Sequence, residues 1–82
     1  MKPKSGSISL DVILTGERIH EVITKNGYTV REIQMALNLS CPQPIYRWMK
    51  GKCLPSLENL YIMSKIFNIH MEEMLVARNE IK

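Results

Sequence analysis

The sequence predicts an all-α domain, a compact bundle of five short helices preceded by a flexible N-terminal arm. Three observations lead there. Apolar residues recur three and four apart in successive short blocks. Residues that cap or stop helices stand at the edges of those blocks: Thr15, Gly27, Thr29, Asn38, Gly51, Ser56 and Asn68. The chain has 82 residues, one small domain's worth, and short helices with short loops are a simple way to close a core of that size.

Residues 1–14 read as the arm. Lys2, Pro3, Lys4, Ser5, Gly6 and Ser7 have no apolar period. Ile8, Leu10, Val12 and Leu14 nearly alternate with polar residues, which suits an extended strap on the bundle or a lone edge strand; no sheet is expected. The folded domain is expected over residues 15–76 and a frayed tail over 77–82. The first helix should follow Thr15 as its N-cap, with Glu17 near the positive end of the helix dipole and Ile19, Val22 and Ile23 inward. Gly27 stops it. Thr29 and Glu32 have the spacing of a capping box and open the second helix, whose buried stripe is Ile33, Ala36 and Leu37. Asn38 tolerates the left-handed conformation that a tight turn needs.

The third helix starts near Ser40 to Pro42. Pro42 and Pro44 fit a first turn, where backbone N–H groups have no intrahelical partner. Ile45 and Trp48 face inward and Gly51 ends the helix. Ser56 caps a fourth helix with the periodic apolar set Leu57, Leu60, Met63, Ile66 and Phe67, and Asn68 ends it. A short fifth helix from Met71 turns Met71, Met74 and Leu75 inward and leaves Glu72 and Glu73 outside.

The net charge is +3, and its distribution says more than its size. Residues 33–57 contain no acid, yet hold Arg47, Lys50 and Lys52. Beyond them Glu58, Glu72, Glu73 and Glu80 outnumber Lys65, Arg78 and Lys82. Cys41 and Cys53 form no C-x-x-C and read as free thiols in a reducing cytoplasm. His20 and His70 are isolated, so no metal is expected. No nucleophile has a base and an orienting acid, and there is no glycine-rich phosphate loop. Catalysis, cofactors and a small-molecule ligand are therefore not expected. Nor is a membrane, because no apolar run nears the ~20 residues that a span requires.

The informative stretch runs from Thr29 to Ser56: two short helices meet at Asn38-Leu39-Ser40, and the second is basic and acid-free. Such a helix suits the major groove of duplex DNA, which admits one helix and presents a distinct donor and acceptor pattern at each base pair.

On these residues the chain resembles the Cro/lambda-repressor-like, or Xre-type, helix-turn-helix family. The resemblance is carried by Gly16-Glu17-Arg18-Ile19, by Thr29-Val30-Arg31-Glu32-Ile33 and by Ala36-Leu37-Asn38-Leu39-Ser40. It continues through Ile45-Tyr46-Arg47-Trp48-Met49-Lys50-Gly51-Lys52, Leu54-Pro55-Ser56-Leu57-Glu58-Asn59-Leu60 and Ile69-His70-Met71-Glu72-Glu73-Met74-Leu75. Val30 stands where the family usually has Gln, Asn38 where it has Gly and Met49 where it has Glu. One extra residue lies near Cys41-Pro42.

The resemblance implies a lambda-repressor-like bundle whose third helix enters the groove. Gln43, Tyr46 and Arg47 then contact bases, and Thr29, Ser40, Lys50 and Lys52 contact the sugar-phosphate backbone. Trp48 is core. The expected function is a cytoplasmic, sequence-specific transcription regulator, a repressor bound to an inverted-repeat operator. The expected partners are double-stranded DNA and a second copy of the chain, joined through residues 71–81, Met71, Met74 and Ile81 among them. Two rivals stand beside it. One is an antitoxin-type protein whose main partner is a toxin, bound at an apolar patch around Ile8, Leu10 and Leu14. The other is an interaction domain that has lost DNA binding.

Overall fold

The computed structural model describes residues 8–79. In chain order it contains β1 (Ile8–Leu10), α1 (Val12–Lys25), α2 (Val30–Ala36), α3 (Gln43–Met49), α4 (Leu57–Phe67), a 3-10 turn (Met71–Met74) and β2 (Ala77–Asn79). The described residues thus hold four α-helices and a two-stranded sheet, where the sequence predicted five helices and no sheet.

Most predicted boundaries are where local chemistry put them. Thr29 Oγ1 accepts from the Glu32 N–H at 3.1 Å and Glu32 Oε1 from the Thr29 N–H at 2.8 Å, closing the capping box. Ser56 Oγ accepts from the Asn59 N–H at 3.2 Å at the start of α4. Asn38 (φ 58°) and Asn68 (φ 57°) take the left-handed conformation, as the sequence suggested.

Four expectations about the elements fail at the ends of the chain. α1 begins at Val12 rather than after Thr15, because Asp11 is also a good cap and its Oδ1 accepts from the Leu14 N–H at 2.9 Å. Thr15 is a fully buried helical residue. Its hydroxyl accepts the Val76 N–H at 3.0 Å and donates to the Val76 carbonyl at 3.4 Å, tying α1 to the last segment. Residues 8–10 and 77–79 pair antiparallel, Ile8 with Asn79, Ser9 with Arg78 and Leu10 with Ala77. The Asp11 N–H to Val76 carbonyl bond at 2.8 Å and an Asp11–Arg78 ion pair at 3.7 Å continue the ladder. The residues expected as a frayed tail therefore include a strand. The fifth helix is one 3-10 turn. His70 donates its N–H to Glu73 Oε2 at 2.9 Å to open it, and extended Leu75 (φ −105°, ψ 137°) ends it by heading into β2.

The core joins Ile19 and Ile23 of α1, Ile33 and Leu37 of α2, Ile45 and Trp48 of α3, Leu60, Met63 and Phe67 of α4, and Met74. Two residues expected inside are outside: Ala36 is exposed, and Leu57 is 74% exposed. α1 and α3 touch backbone to backbone. An added Cβ at Gly16 would lie 2.1 Å from the Trp48 carbonyl oxygen and 3.0 Å from that of Met49. Only a glycine lets the two helices come so close.

Candidate nucleic-acid interface

The interface is built from α2, the turn after it and α3. Leu37 caps α2, and its N–H donates to the Ile33 carbonyl at 2.9 Å. The Asn38 N–H then donates to Met35 O at 3.1 Å and the Leu39 N–H to Gln34 O at 3.0 Å. The Gln34 side-chain amide donates to the Leu39 carbonyl at 3.3 Å, bracing the turn from the α2 side. Leu39 packs against the core and anchors the turn's far end. Pro42 stands at the N-cap of α3 and its carbonyl accepts from Ile45 at 3.0 Å and Tyr46 at 3.2 Å. Pro44 sits in the first turn, where its missing N–H forfeits no bond. Gly51, at φ 74°, closes the far end, with the Gly51 N–H on Trp48 O at 3.0 Å and the Lys52 N–H on Arg47 O at 2.9 Å.

α3 therefore has two distinct faces. Ile45 and Trp48 are buried, and Pro44 and Met49 are half-buried at the flanks. Gln43, Tyr46, Arg47 and Lys50 are exposed and stand at i, i+3, i+4 and i+7, the spacing that aligns side chains on one helix face. Lys52 and Ser40 are exposed at either end of the helix. Six of the seven residues singled out from sequence thus gather on α3 and its two connections. Thr29 is also exposed, but on α2.

Thr29 differs in what it can offer. Its backbone N–H already donates to Glu32 and is not open to a phosphate. The hydroxyl proton remains, beside the Glu32 carboxylate, whose charge disfavours an anion. Arg47, Lys50 and Lys52 take no part in the ion pairs among the described residues, which join Arg18 to Glu21 and Arg78 to Asp11. Their charge is available to an outside partner. Tyr46 is 41% exposed and Trp48 only 4%, so Tyr46 alone of the two aromatics offers a surface.

Sequence reasoning gave Gln34 and Gly16 no role. Gln34 braces the turn, and Gly16 is the seat on which the end of α3 rests. Gly16 carried a signal: a glycine inside a helical pattern costs about 1 kcal/mol against alanine, so its presence calls for a packing reason. In the segment expected to meet a second copy, Met74 is fully buried, Met71 and Leu75 are half-buried, and residues 77–79 are paired in the sheet. Residues 80–82, Ile81 included, and the lysines at 2 and 4 lie outside the described residues. Cys41 is exposed and Cys53 half-buried, both as free thiols. Among the described residues no three His, Cys, Asp or Glu side chains gather to hold a metal, and no helix is long and apolar enough to cross a membrane.

No protein-family model matches the chain, and no curated protein matches its sequence. A solved structure does match. The restriction-modification controller protein C.AhdI from Aeromonas hydrophila superposes with a TM-score of 0.69 at 20% sequence identity, covering 78% of this chain and 96% of that one. At that identity the likeness is one of fold, and in fold the helix-turn-helix resemblance read from the sequence holds. The chain has the fold of a restriction-modification controller protein.

Proposed function

We propose that this chain is a sequence-specific DNA-binding transcription regulator of the cytoplasm. One observation carries the proposal: α3 presents Gln43, Tyr46, Arg47 and Lys50 on a single exposed face, within a stretch free of acids. Inserted into the major groove, Arg47 donates two hydrogen bonds to a guanine and Gln43 pairs with an adenine. Tyr46 reaches a phosphate or a thymine methyl. Lys50, Lys52 and Ser40 hold the sugar-phosphate backbone and fix the register, which by itself conveys no sequence. The fold shared with a protein named as a controller supports a regulatory role.

One reading helix covers too little DNA for tight, specific binding, so the protein acts as a symmetric dimer on an inverted repeat. Occupying a promoter in that way makes it a repressor. The assignment includes no catalytic step.

A salt series tests it. Lys50 and Lys52 from two copies neutralise about four phosphates, so log affinity should fall with log salt with a slope of about −4. Absence of duplex binding at ~50 mM salt, well below physiological strength, sinks the proposal.

A second reading has an observation of its own. Ile8 is 60% exposed, Leu10 42%, Ile13 56% and Leu14 45%, a run of apolar side chains on β1 and the first turn of α1. Such a patch suits a protein partner, as in an antitoxin that masks a toxin. Co-expression with the product of the neighbouring gene decides: a stable complex that Leu14→Glu dissolves supports it, and separate elution of the two proteins removes it.

A further inference from the structure

We propose that the outward face of α4 is where two copies of this chain meet, antiparallel across a two-fold axis beside Tyr61. This rests on the dimeric regulator proposed above and names its interface.

Leu57 is the most exposed of the large apolar residues, 74% open on a helix whose apolar period should have buried it, and Tyr61, one turn on, is 52% open. At about 100° per residue, Leu57, Asn68, Tyr61, Lys65 and Glu58 fan across one sector of α4, with Tyr61 at its middle. All five are exposed, while Leu60, Met63, Ser64 and Phe67 are buried in an adjoining sector. The face thus has an apolar part, Leu57 and Tyr61, and one charged margin. Glu58 and Lys65 lie on the same margin, seven residues apart. Neither takes part in an ion pair among the described residues.

That pattern is complementary to itself. A two-fold axis perpendicular to the helix runs two copies of α4 antiparallel, and residues on the same margin then face each other. With the axis near Tyr61, midway between residues 58 and 65, Glu58 of each copy meets Lys65 of the other. Tyr61 of each copy lies against Tyr61 of the other. Lys65 already holds its ammonium over the Tyr61 ring, 5.1 Å from its centre, so the charge and the aromatic ring belong to one face. A parallel pairing brings no such charge match. An eleven-residue helix is about 16 Å long and makes an interface below the usual size, so the free protein should dimerise weakly, with a dissociation constant in roughly the micromolar range.

Charge reversal tests the pairing by sedimentation equilibrium at ~50 mM salt, where screening is weak. Glu58→Lys faces lysine with lysine across the axis and Lys65→Glu faces glutamate with glutamate. Each alone should weaken the dimer by about tenfold. An equimolar mixture of the two variants restores both attractive pairs and should recover the wild-type dimer, as should the double variant Glu58→Lys/Lys65→Glu. Both sites are exposed, and circular dichroism confirms that each variant is folded. A wild-type chain that stays monomeric up to ~1 mM, or single variants that dimerise like wild type, overturns the interface, as does a mixture that fails to recover. Duplex binding measured on the same samples separates the two claims. Binding without this dimer leaves the regulator standing and removes only the α4 interface. A charge-sensitive dimer without DNA binding keeps the interface and removes the regulator.

Discussion

Gly16→Ala gives opposite signs under two physical arguments. By helix propensity alone, alanine inside α1 should stabilise the domain by up to about 1 kcal/mol. Packing says otherwise. The new methyl would lie 2.1 Å from the Trp48 carbonyl oxygen and 3.0 Å from that of Met49, both backbone atoms at the end of α3. The two helices must separate by about 1 Å to reach ordinary contact. Overpacking of that order costs about 1–3 kcal/mol and outweighs the propensity gain over most of that range. At about 4–8 °C per kcal/mol for a domain this size, the melting temperature should fall by about 5–15 °C. Trp48 is the only tryptophan and sits at the contact, so its fluorescence reports both the melt and the local shift. DNA binding should suffer beyond the loss of stability. Moving α3 by ~1 Å stretches hydrogen bonds of about 2.9 Å past their useful range, and specific affinity should drop while non-specific affinity holds. A variant that melts higher than wild type and binds its site equally well would refute the idea that Gly16 sets the position of α3.

Three other substitutions probe separate parts of the molecule. Thr15→Val leaves the half-buried Val76 N–H without its side-chain partner and should cost about 1 kcal/mol, read by denaturant unfolding and by faster amide exchange at Val76. Asn38→Ala forces alanine to φ 58° and should cost about 1 kcal/mol in the same assay, whereas Asn38→Gly should be near neutral. Arg47→Ala should lose about 1–3 kcal/mol of binding and relax preference at one base position per half-site. Lys52→Ala, by contrast, should weaken all sequences alike and make the salt slope of the dimer shallower by about two.

The middle of the chain was legible because its signals are local. Thr29 and Glu32 fix the start of α2 within four residues, Asn38 and Asn68 accept φ values few residues take, and the alternation of Ile45 and Trp48 with Gln43, Tyr46, Arg47 and Lys50 divides α3 into two faces. The ends were not legible, because what shapes them is distant in sequence. The hydroxyl of Thr15 meets Val76, sixty-one residues away. β1 and β2 are three residues each, too short for a period-two pattern, and each exists because the other is there. Thr15 is a good N-cap by type, yet the same hydroxyl that could cap a helix serves the Val76 backbone once Asp11 has taken the cap. Leu57 shows the limit of periodicity: three residues before buried Leu60 it reads as core by spacing, yet on the helix it falls beside exposed Tyr61 and Asn68 and is itself exposed. The outward residues of α3 were found by their pattern. The Gln34 brace could not be, since a glutamine inside a helix has no distinguishing sequence signal.

The central claim is that the exposed face of α3 reads a particular DNA sequence. Its most direct test is to mix the purified chain with fragmented genomic DNA of its host at about 150 mM salt, near physiological strength, and to sequence what it retains. Recovery of one inverted repeat, with half-sites about one helical turn apart, is the predicted result, and Arg47→Ala should degrade the recovered motif at a defined position. Retention of nothing above background, or of fragments with no shared motif, contradicts the account.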